Sequence, residues 1–571
     1  MNLLDWLVLL GTMLGIAAYA TWRTRHTDNL NTYLRGSSTT RWFTIGLSVM
    51  ATQASTITYL SLPGQAYENG ISFIQNYFGL PLALIVVCAV FLPIYRKLGV
   101  YTAYEYLGRR FDAKTRLLGA GLFLVQRGLQ AGITIYAPAI ILATVLGWRL
   151  DLTIIFTGLI AIVYTVTGGS AAVNLTQKWQ MAVIFGGMLT AFGVLLARLP
   201  ADALHIAGVM GKLHGVDYTP DPKVRYTLWS GVLGGFFLSL SYFGTDQSQV
   251  QRYIGGAALR EGRLGLMFNA LLKIPMQFFI VMLGALLFVF YQFQPDTPVV
   301  FNQTQWRRQA DGPGGAVFHE LETRHAALHA DQLAKIRTWV AAQEGGDARV
   351  EAEARKALTQ AQQASETVRQ QALVTLQTAD PAAKKTKDSD YVFITFILSQ
   401  LPHGAIGLLI AVMFASALSS KASELNALGT TSTIDLWRYF RPLAAHDEAR
   451  NVRNAKWFTA AWGLFAIGFA LFVSFTENLI EALNIVASIF YPALLGVFLV
   501  AFFLKKVGGS AVFWGAIVAQ LFVLAIFAFG KAYPEHEIGY LWLNPIGCGA
   551  CILFSLGIQA FLPGNHADGR G

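Results

Sequence analysis

The sequence predicts an all-α membrane protein with about thirteen transmembrane helices. Apolar residues (A, V, I, L, M, F, W, Y and C) make up 54% of the 571 positions, whereas charged residues make up only 13%. That charged fraction is about half of what soluble proteins carry. The apolar residues also gather in runs without a polar face, such as 80–93 and 278–290, and such runs suit lipid better than a core surrounded by water.

Windows of about 20 apolar residues define the individual spans. The first window is interpreted as a retained helix rather than a cleavable leader, because it lacks a basic start and is followed by Arg23 and Arg25. The thirteen predicted spans are 3–22, 43–64, 71–95, 117–146, 151–167, 172–197, 227–247, 264–293, 404–436, 455–474, 480–504, 510–530 and 541–562.

The distribution of Lys and Arg predicts the orientation. One alternating set of short connections holds 22 of these residues, from Arg23 to Arg570, whereas the opposite set holds only six. The positive-inside rule therefore places the N-terminus outside and the C-terminus in the cytoplasm of a multi-pass protein in the cytoplasmic membrane. Because the net charge of +10 is explained by topology in the lipid bilayer, a nucleic-acid partner is not expected.

One long outer segment, 295–389, departs from the pattern, because it is rich in Ala, Gln and charged residues. Its periodicity predicts two amphipathic helices, 315–343 and 348–378, separated by Gly345-Gly346. A lid or partner-docking element and a solvated helical hairpin are both compatible with this pattern.

Polar residues in the middle of three predicted spans are candidates for function, because polar groups are costly inside a membrane. The second span has a polar middle and is predicted to end at Pro63-Gly64. The seventh span contains the polar stretch 239–247, and the ninth contains 416–426. The polar residues of the second span are Gln53, Ser55, Thr56 and Thr58.

Four serines of the ninth span form one hydroxyl-bearing face, because they are spaced at i, i+3, i+4 and i+7. They are Ser416, Ser419, Ser420 and Ser423. Such hydroxyls can simply bond to carbonyls one turn back. The alternative is a site for a hard cation such as Na⁺, which takes about five oxygen ligands and, unlike Ca²⁺, does not require carboxylates. A broken helix nearby can supply the remaining carbonyl oxygens.

These residues carry a family resemblance. Residues 415–428 followed by Asp435, together with 104–107 and 247–253, resemble the sodium:solute symporter family over roughly 5–530. That family includes the sodium/glucose, proline, sialic acid, monocarboxylate and iodide carriers. Residues 136–139 (Tyr-Ala-Pro-Ala) are more similar to the iodide, vitamin and monocarboxylate branch than to the sugar branch.

The resemblance implies a core of two inverted five-helix repeats (the LeuT-type fold), with a broken helix opening each repeat. The implied organisation is an extra helix and cytoplasmic loop at 1–42, a first repeat at 43–197, an outer loop at 198–226, a second repeat at 227–505 interrupted by the 295–389 insertion, and two further helices with a short tail at 506–571.

The implied function is secondary active transport, in which Na⁺ drives symport of a small solute by alternating access. By this resemblance, Na⁺ is held by the carbonyls of Ala51, Ala54 and Ser416 and by the hydroxyls of Ser419 and Ser420. Many family members have an aspartate in the sixth span, but Gln177 stands there, with Lys178 beside it. We therefore expect one Na⁺ per cycle.

The resemblance also implies a solute site beside the Na⁺, with Tyr242 as the inner gate, although a core tyrosine is the alternative interpretation. The implied solute-binding residues are Gln53, Thr58, Asn76, Tyr77, Ser239, Lys273 and Asn484. These residues fit a sugar, a carboxylate or a small anion.

Four charged residues inside the spans have competing interpretations. A structural salt bridge is the alternative to solute contact for Lys273. Arg127 can pair with a carboxylate solute or satisfy carbonyls of the bundle. Lys421 and Glu424 are spaced to pair with each other.

An enzyme is not expected, because neither metal-ligand spacing nor a nucleophile or phosphate-loop motif occurs in the sequence. A solute sensor that does not transport and a Na⁺-independent carrier on the same fold remain open as alternatives. Na⁺-driven uptake separates them from a symporter.

Overall fold

The computed structural model describes residues 1–24, 41–53, 55–254, 258–441, 448–473 and 477–562. These ranges contain helices and no β-strand, which confirms the all-α class. The helices are α1 (Leu3–Thr24), α2 (Trp42–Gln53), α3 (Thr56–Asn69), α4 (Leu80–Val86), α5 (Leu92–Leu98), α6 (Ala103–Arg110), α7 (Ala113–Leu146), α8 (Leu150–Arg198), α9 (Ala203–Val209), α10 (Gly235–Thr245), α11 (Gln247–Ile254), α12 (Leu259–Phe293), α13 (Gln303–Ala310), α14 (Gly315–Gly345), α15 (Ala348–Ala379), α16 (Val392–Gln400), α17 (Ala405–Thr431), α18 (Arg438–Phe440), α19 (Glu448–Phe472), α20 (Leu479–Phe503), α21 (Gly509–Ala532) and α22 (Leu543–Phe561).

Short segments of other helical types connect or extend these elements. The π-helical segments are Val87–Phe91, Ser230–Gly234 and Ser432–Trp437, and the 3₁₀ segments are Gly70–Tyr77, Pro381–Lys385, Asp388–Tyr391, Pro534–His536 and Tyr540–Trp542.

Nine helical runs within the described ranges are long and apolar enough to cross a membrane, so the chain is a multi-pass membrane protein. Two shorter apolar helices, Leu3–Gly15 and Leu150–Val166, add to them. One run, Thr56–Leu98, joins parts of the second and third predicted spans. The count of thirteen spans and the orientation of the termini stay predictions.

Two expected helix ends are wrong. The second span does not end at Pro63-Gly64, because α3 continues through both residues to Asn69. Pro63 lacks only its own backbone N–H donor. In membrane proteins, neighbouring helices compensate for one missing backbone hydrogen bond. The fifth and sixth predicted spans, 151–167 and 172–197, are not separated from each other, because Gly168 and Gly169 between them lie within one helical segment, α8. A helix tolerates an interior glycine at a cost of about 1 kcal/mol, and an apolar environment favours keeping the backbone hydrogen-bonded.

Two helices are interrupted where the sequence places polar residues. Between α2 and α3, Ser55 is extended (φ −72°, ψ 171°). Between α10 and α11, Asp246 is extended as well (φ −78°, ψ 119°). An interruption leaves backbone donors and acceptors without helical partners, so both places can offer polar groups to a ligand.

Helix α17 lies at the centre of the bundle, because nearly all of its residues are buried. It packs against α1, α7, α8 and α19. The interrupted pair α2 and α3 lies along α12. At two positions the backbone of a neighbouring segment approaches so closely that only glycine fits. A Cβ at Gly64 would be 1.9 Å from the Ser389 carbonyl oxygen, and a Cβ at Gly284 would be 2.3 Å from the Pro63 carbonyl oxygen.

The 295–389 insertion forms a helical hairpin of α14 and α15, with Gly346 (φ +70°) ending α14. The hairpin is not surrounded by solvent. Trp339 and Ile336 of α14 are buried against residues that include Met210, which follows α9, and Phe293, the last residue of the membrane helix α12. The Asp388 carboxylate closes the base of the insertion by accepting hydrogen bonds from the backbone N–H groups of Phe301 (3.1 Å) and Asn302 (2.9 Å).

Candidate solute and cation site

A cavity of about 140 Å³ lies at the interruption between α2 and α3. It brings together all seven residues expected to bind solute, together with the expected gate, Tyr242. The other lining residues are Thr52, Ser55, Leu80, Arg127, Gln130, Thr134, Leu238, Phe243, Glu424, Ile480, Leu483, Ala487 and Tyr491. Residues as far apart in the sequence as Thr52 and Tyr491 therefore converge on one cavity.

Two hydrogen bonds stabilise the interruption between α2 and α3. The Thr58 hydroxyl donates to the carbonyl of Gln53 (3.0 Å), on the other side of the break. The Thr56 hydroxyl donates to the carbonyl of Met413 in α17 (2.5 Å). The broken ends are thus joined to each other and to the central helix, which keeps Gln53 and Thr58 at the cavity wall.

Three polar atoms of the solute-site residues are buried without a hydrogen-bond partner among the described residues. They are Gln53 Nε2, Asn76 Oδ1 and Asn484 Nδ2. An unsatisfied buried polar group costs about 1–3 kcal/mol. Because all three residues line the same cavity, a bound solute or ordered water that fills it would satisfy them.

Arg127 belongs to a buried ion network. Its Nε donates to Asp246 Oδ2 (3.1 Å), and its Nη2 contacts the same oxygen. Its Nη1 lies 3.4 Å from Glu424 Oε1, and Asp246 Oδ2 also accepts from the Tyr491 hydroxyl (2.6 Å). The network joins α7, α17 and α20 to the break before α11, so Arg127 has carboxylate partners within the protein.

Lys421 and Glu424 pair as their spacing predicts, with Nζ and Oε2 3.3 Å apart. Glu424 also faces the cavity and accepts a hydrogen bond from the Thr134 hydroxyl (2.8 Å). Sequence reasoning missed the roles of Asp246, Glu424 and Tyr491 in this network. The one available signal was Asp246, an acidic residue in a polar stretch of a predicted span.

Tyr242 forms part of the cavity wall next to this network. Its ring lies 5.6 Å from the Arg127 guanidinium carbon, and its hydroxyl accepts a hydrogen bond from Gln249 Nε2 (2.6 Å). The ring is held from two sides, by α7 and by α11. Its role as a gate stays a prediction.

The serine face of α17 lies beside the α2–α3 break. The Ser420 hydroxyl is 3.5 Å from the Ala51 carbonyl oxygen. Ser419 donates to Gln180 Oε1 (3.0 Å), which leaves the lone pairs of its hydroxyl available to a cation. Ser416 is buried one turn earlier on the same face.

Other residues expected at or near the cation site either lie outside the described residues or are already bonded within the protein. Ala54 lies outside the described residues, as do the side chains of Gln177 and Lys178. The Ser423 hydroxyl donates to the Ser419 carbonyl (3.0 Å) and is contacted by Arg252, so its bonds lie within the protein. Gln180 of α8, for which the sequence predicted no role, accepts the hydrogen bond from Ser419 of this serine face.

These features define a class of protein. A small polar cavity at the interruption of membrane-embedded helices, with an oxygen-lined face beside it, is the arrangement of a secondary transporter. The chain belongs to the sodium:solute symporter family, because the family model matches residues 33–297 and 367–519. The unmatched stretch, 298–366, contains α14 and most of the helical hairpin.

Curated relatives confirm the expected branch. The human sodium/iodide cotransporter is 35% identical over 249 residues, which cover 43% of this chain and 39% of that protein. The human sodium-coupled monocarboxylate transporter 1 is 35% identical over 227 residues, 39% of this chain and 37% of that protein. The sodium-dependent multivitamin transporter of Oryctolagus cuniculus is 31% identical over 264 residues, 46% of this chain and 41% of that protein. Each match spans about two fifths of the relative's length.

A solved structure shows the same fold. A Na⁺-coupled sialic acid symporter, solved in a substrate-bound outward-open state, superimposes with a TM-score of 0.72 at 20% identity, and 99% of each chain is covered. This likeness concerns the fold. The boundaries expected for the two inverted repeats stay a prediction.

Proposed function

We propose that this protein is a secondary active transporter that moves one Na⁺ with one small solute per cycle by alternating access across the cytoplasmic membrane. The observation that carries the proposal is the position of the serine face of α17 at the α2–α3 break, beside the cavity. The Na⁺ coupling named for the relatives supports it.

The Na⁺ would be held by the carbonyls of Ala51, Ala54 and Ser416 and by the hydroxyls of Ser419 and Ser420. Two oxygens that each lie about 2.4 Å from a cation, with an oxygen–cation–oxygen angle of about 90°, are about 3.4 Å apart. The separation of 3.5 Å between Ser420 Oγ and the Ala51 carbonyl oxygen is close to this value. The described members of the set contain no carboxylate, which suits a monovalent cation better than Ca²⁺.

The solute would occupy the cavity, and Tyr242 would separate it from the cytoplasmic side. Tyr242 is held by Gln249, and its ring lies beside Arg127, which is paired with Asp246 at the second helix break. Opening towards the cytoplasm would then require α10 and α11 to move relative to α7. Such rocking of one bundle against another is how broken-helix transporters expose a central site alternately to each side.

The test is uptake into proteoliposomes that contain the purified protein. A thermal-shift screen of solutes with and without Na⁺ first selects a ligand. An inward Na⁺ gradient should then drive accumulation of that ligand with a Hill coefficient near one for Na⁺. Binding without accumulation would instead identify a sensor, and accumulation that does not depend on Na⁺ would identify an uncoupled carrier.

A further inference from the structure

We infer that helices α7 and α17 form a second monovalent-cation site beside the solute cavity, and that the ammonium of Lys421 fills this site as a tethered ion. The site itself is inferred from the contacts and the charge around this lysine. Its consequence, that a fixed charge stands where a second mobile Na⁺ would otherwise bind, rests on the proposed transport function.

The ammonium of Lys421 is surrounded by oxygen atoms. The residue is only 3% exposed, and within the described part of the chain its ammonium has three partners. It contacts the Ala131 carbonyl oxygen and the Thr134 hydroxyl, and its Nζ lies 3.3 Å from Glu424 Oε2. An ammonium has three N–H donors, so each donor has one oxygen acceptor. Carbonyl, hydroxyl and carboxylate oxygens are also the ligands that hard cations prefer.

The lysine joins two helices rather than pairing only along its own. Ala131 and Thr134 belong to α7, whereas Glu424 belongs to α17. The Thr134 hydroxyl has one proton, and its nearer acceptor is Glu424 Oε2 (2.8 Å) rather than the Ala131 carbonyl (3.2 Å). The lone pairs of this hydroxyl are then available to the ammonium. A salt bridge within α17 would require neither residue of α7, so the contacts are those of an ion bound between helices.

The surrounding charges require one monovalent cation at this place. Arg127 contacts both Asp246 and Glu424, and without Lys421 this connected group would hold one cation and two carboxylates. The excess would be one buried negative charge, which is costly unless it is paired. Lys273 also lines the cavity but does not supply the charge, because no carboxylate of the described residues lies within 4.0 Å of its amine.

The site is separate from the assigned Na⁺ site but borders the same cavity. Lys421 directly follows Ser420, and successive residues of an α-helix point about 100° apart. Ser420 accordingly approaches the α2–α3 break, whereas Lys421 contacts α7. Thr134 and Glu424 line the cavity, so a mobile ion could reach these oxygens from there if the lysine side chain were absent.

A tethered cation affects the coupling differently from a mobile one. The Lys421 ammonium balances the carboxylates throughout the cycle and does not leave with the solute. A mobile Na⁺ at the same place would cross the membrane and add a second coupled charge. The fixed ammonium therefore gives the proposed stoichiometry of one Na⁺ per cycle a physical basis.

The first experiment removes the tethered ion. Lys421→Ala keeps a good helix former at this position and vacates the space of the ammonium. Thermal unfolding of the purified variant is measured in sodium, potassium and ammonium chloride, each compared with choline chloride at the same ionic strength. At least one of the three small cations should raise the unfolding midpoint, because a ligand that binds only the folded state stabilises it.

The matched control is the double variant Lys421→Ala/Glu424→Gln, which removes one charge of each sign. It leaves Arg127 and Asp246 as a balanced pair and keeps the assigned Na⁺ site. Its midpoint should therefore rise less than that of Lys421→Ala in the salt that stabilises Lys421→Ala most. Equal responses of the two variants would overturn the inference. A Lys421→Ala protein that stays unfolded in all three salts, while the double variant folds, would overturn it as well.

The second experiment tests the ligands of the site. Thr134→Val, introduced into the Lys421→Ala protein, removes one of the three oxygens with little change of shape. It should raise the apparent Kd of the selected cation about tenfold or more, the loss expected for one polar contact to a charged group. An unchanged Kd would contradict the inferred geometry.

The third experiment uses the wild-type protein in proteoliposomes. The ratio of ²²Na⁺ to solute taken up, measured with the solute selected by thermal shift, should be one. A ratio of two would overturn the inference that Lys421 stands in the place of a second mobile ion. Uptake without any Na⁺ dependence would instead refute the transport proposal, and the cation response of Lys421→Ala would still test the site.

Discussion

The assigned Na⁺ site can be tested through one hydroxyl, that of Ser420. Ser420→Ala removes the oxygen that lies 3.5 Å from the Ala51 carbonyl and leaves α17 otherwise intact, because alanine is a good helix former. The side chain is buried, so the substitution exposes no new surface. If Na⁺ binds here, it loses one of about five oxygen ligands.

The size of the effect follows from this geometry. A polar contact to a charged group contributes about 1.5–3 kcal/mol, and each 1.4 kcal/mol is tenfold in a binding constant. The Na⁺ concentration for half-maximal uptake should therefore rise about 10- to 100-fold. We expect the lower end of this range, because the neighbouring cavity lets water replace the lost oxygen.

The assay is initial uptake of the selected solute at a series of Na⁺ concentrations and constant ionic strength. Thr430→Val is the matched control, because the Thr430 hydroxyl of the same helix donates to the Asn426 carbonyl (2.7 Å), away from the break. That variant should keep the wild-type Na⁺ dependence. Unchanged Na⁺ dependence in both Ser420→Ala and Ser419→Ala would refute the site.

Two further predictions concern the scaffold around the cavity. Asp246→Asn should destabilise the protein by about 3–5 kcal/mol, because it leaves the buried Arg127 guanidinium short of a carboxylate. The double variant Arg127→Gln/Asp246→Asn should recover part of this loss in thermal unfolding, and no recovery would argue against an ion pair. Gly64→Ala should lower stability and uptake, because its Cβ would lie 1.9 Å from the Ser389 carbonyl oxygen. Gly121→Ala, a helix position with no atom within 4 Å of the added Cβ, should be neutral or slightly stabilising.

Much of the fold followed from the sequence because the bilayer allows few alternatives. Backbone groups inside lipid must be bonded within their own segment, so long apolar runs predict helices. Helices α20 (Leu479–Phe503) and α21 (Gly509–Ala532) lie within one or two residues of the expected 480–504 and 510–530. The hairpin helices α14 and α15 also lie close to the expected ranges.

The local sequence pattern predicted the structure less well where tertiary contacts determine the backbone conformation. Pro63-Gly64 has the form of a helix end, yet α3 continues, since the glycine admits the Ser389 carbonyl and the bundle supports the proline. The hairpin had two open interpretations. It docks through Trp339 on the membrane core, a contact that neither helix specifies by itself.

The sequence by itself determined that this is a helical membrane protein, because composition and the length of apolar runs reflect the free energy of transferring each residue into lipid. The serine spacing and the resemblance pointed to the residues that meet at the cavity. Only the tertiary structure showed that Arg127 is neutralised by Asp246, 119 positions away, while no carboxylate of the described residues lies within 4.0 Å of the Lys273 amine. Charge pairing depends on distances of a few ångströms between segments remote in the chain, and only the packed bundle sets those distances.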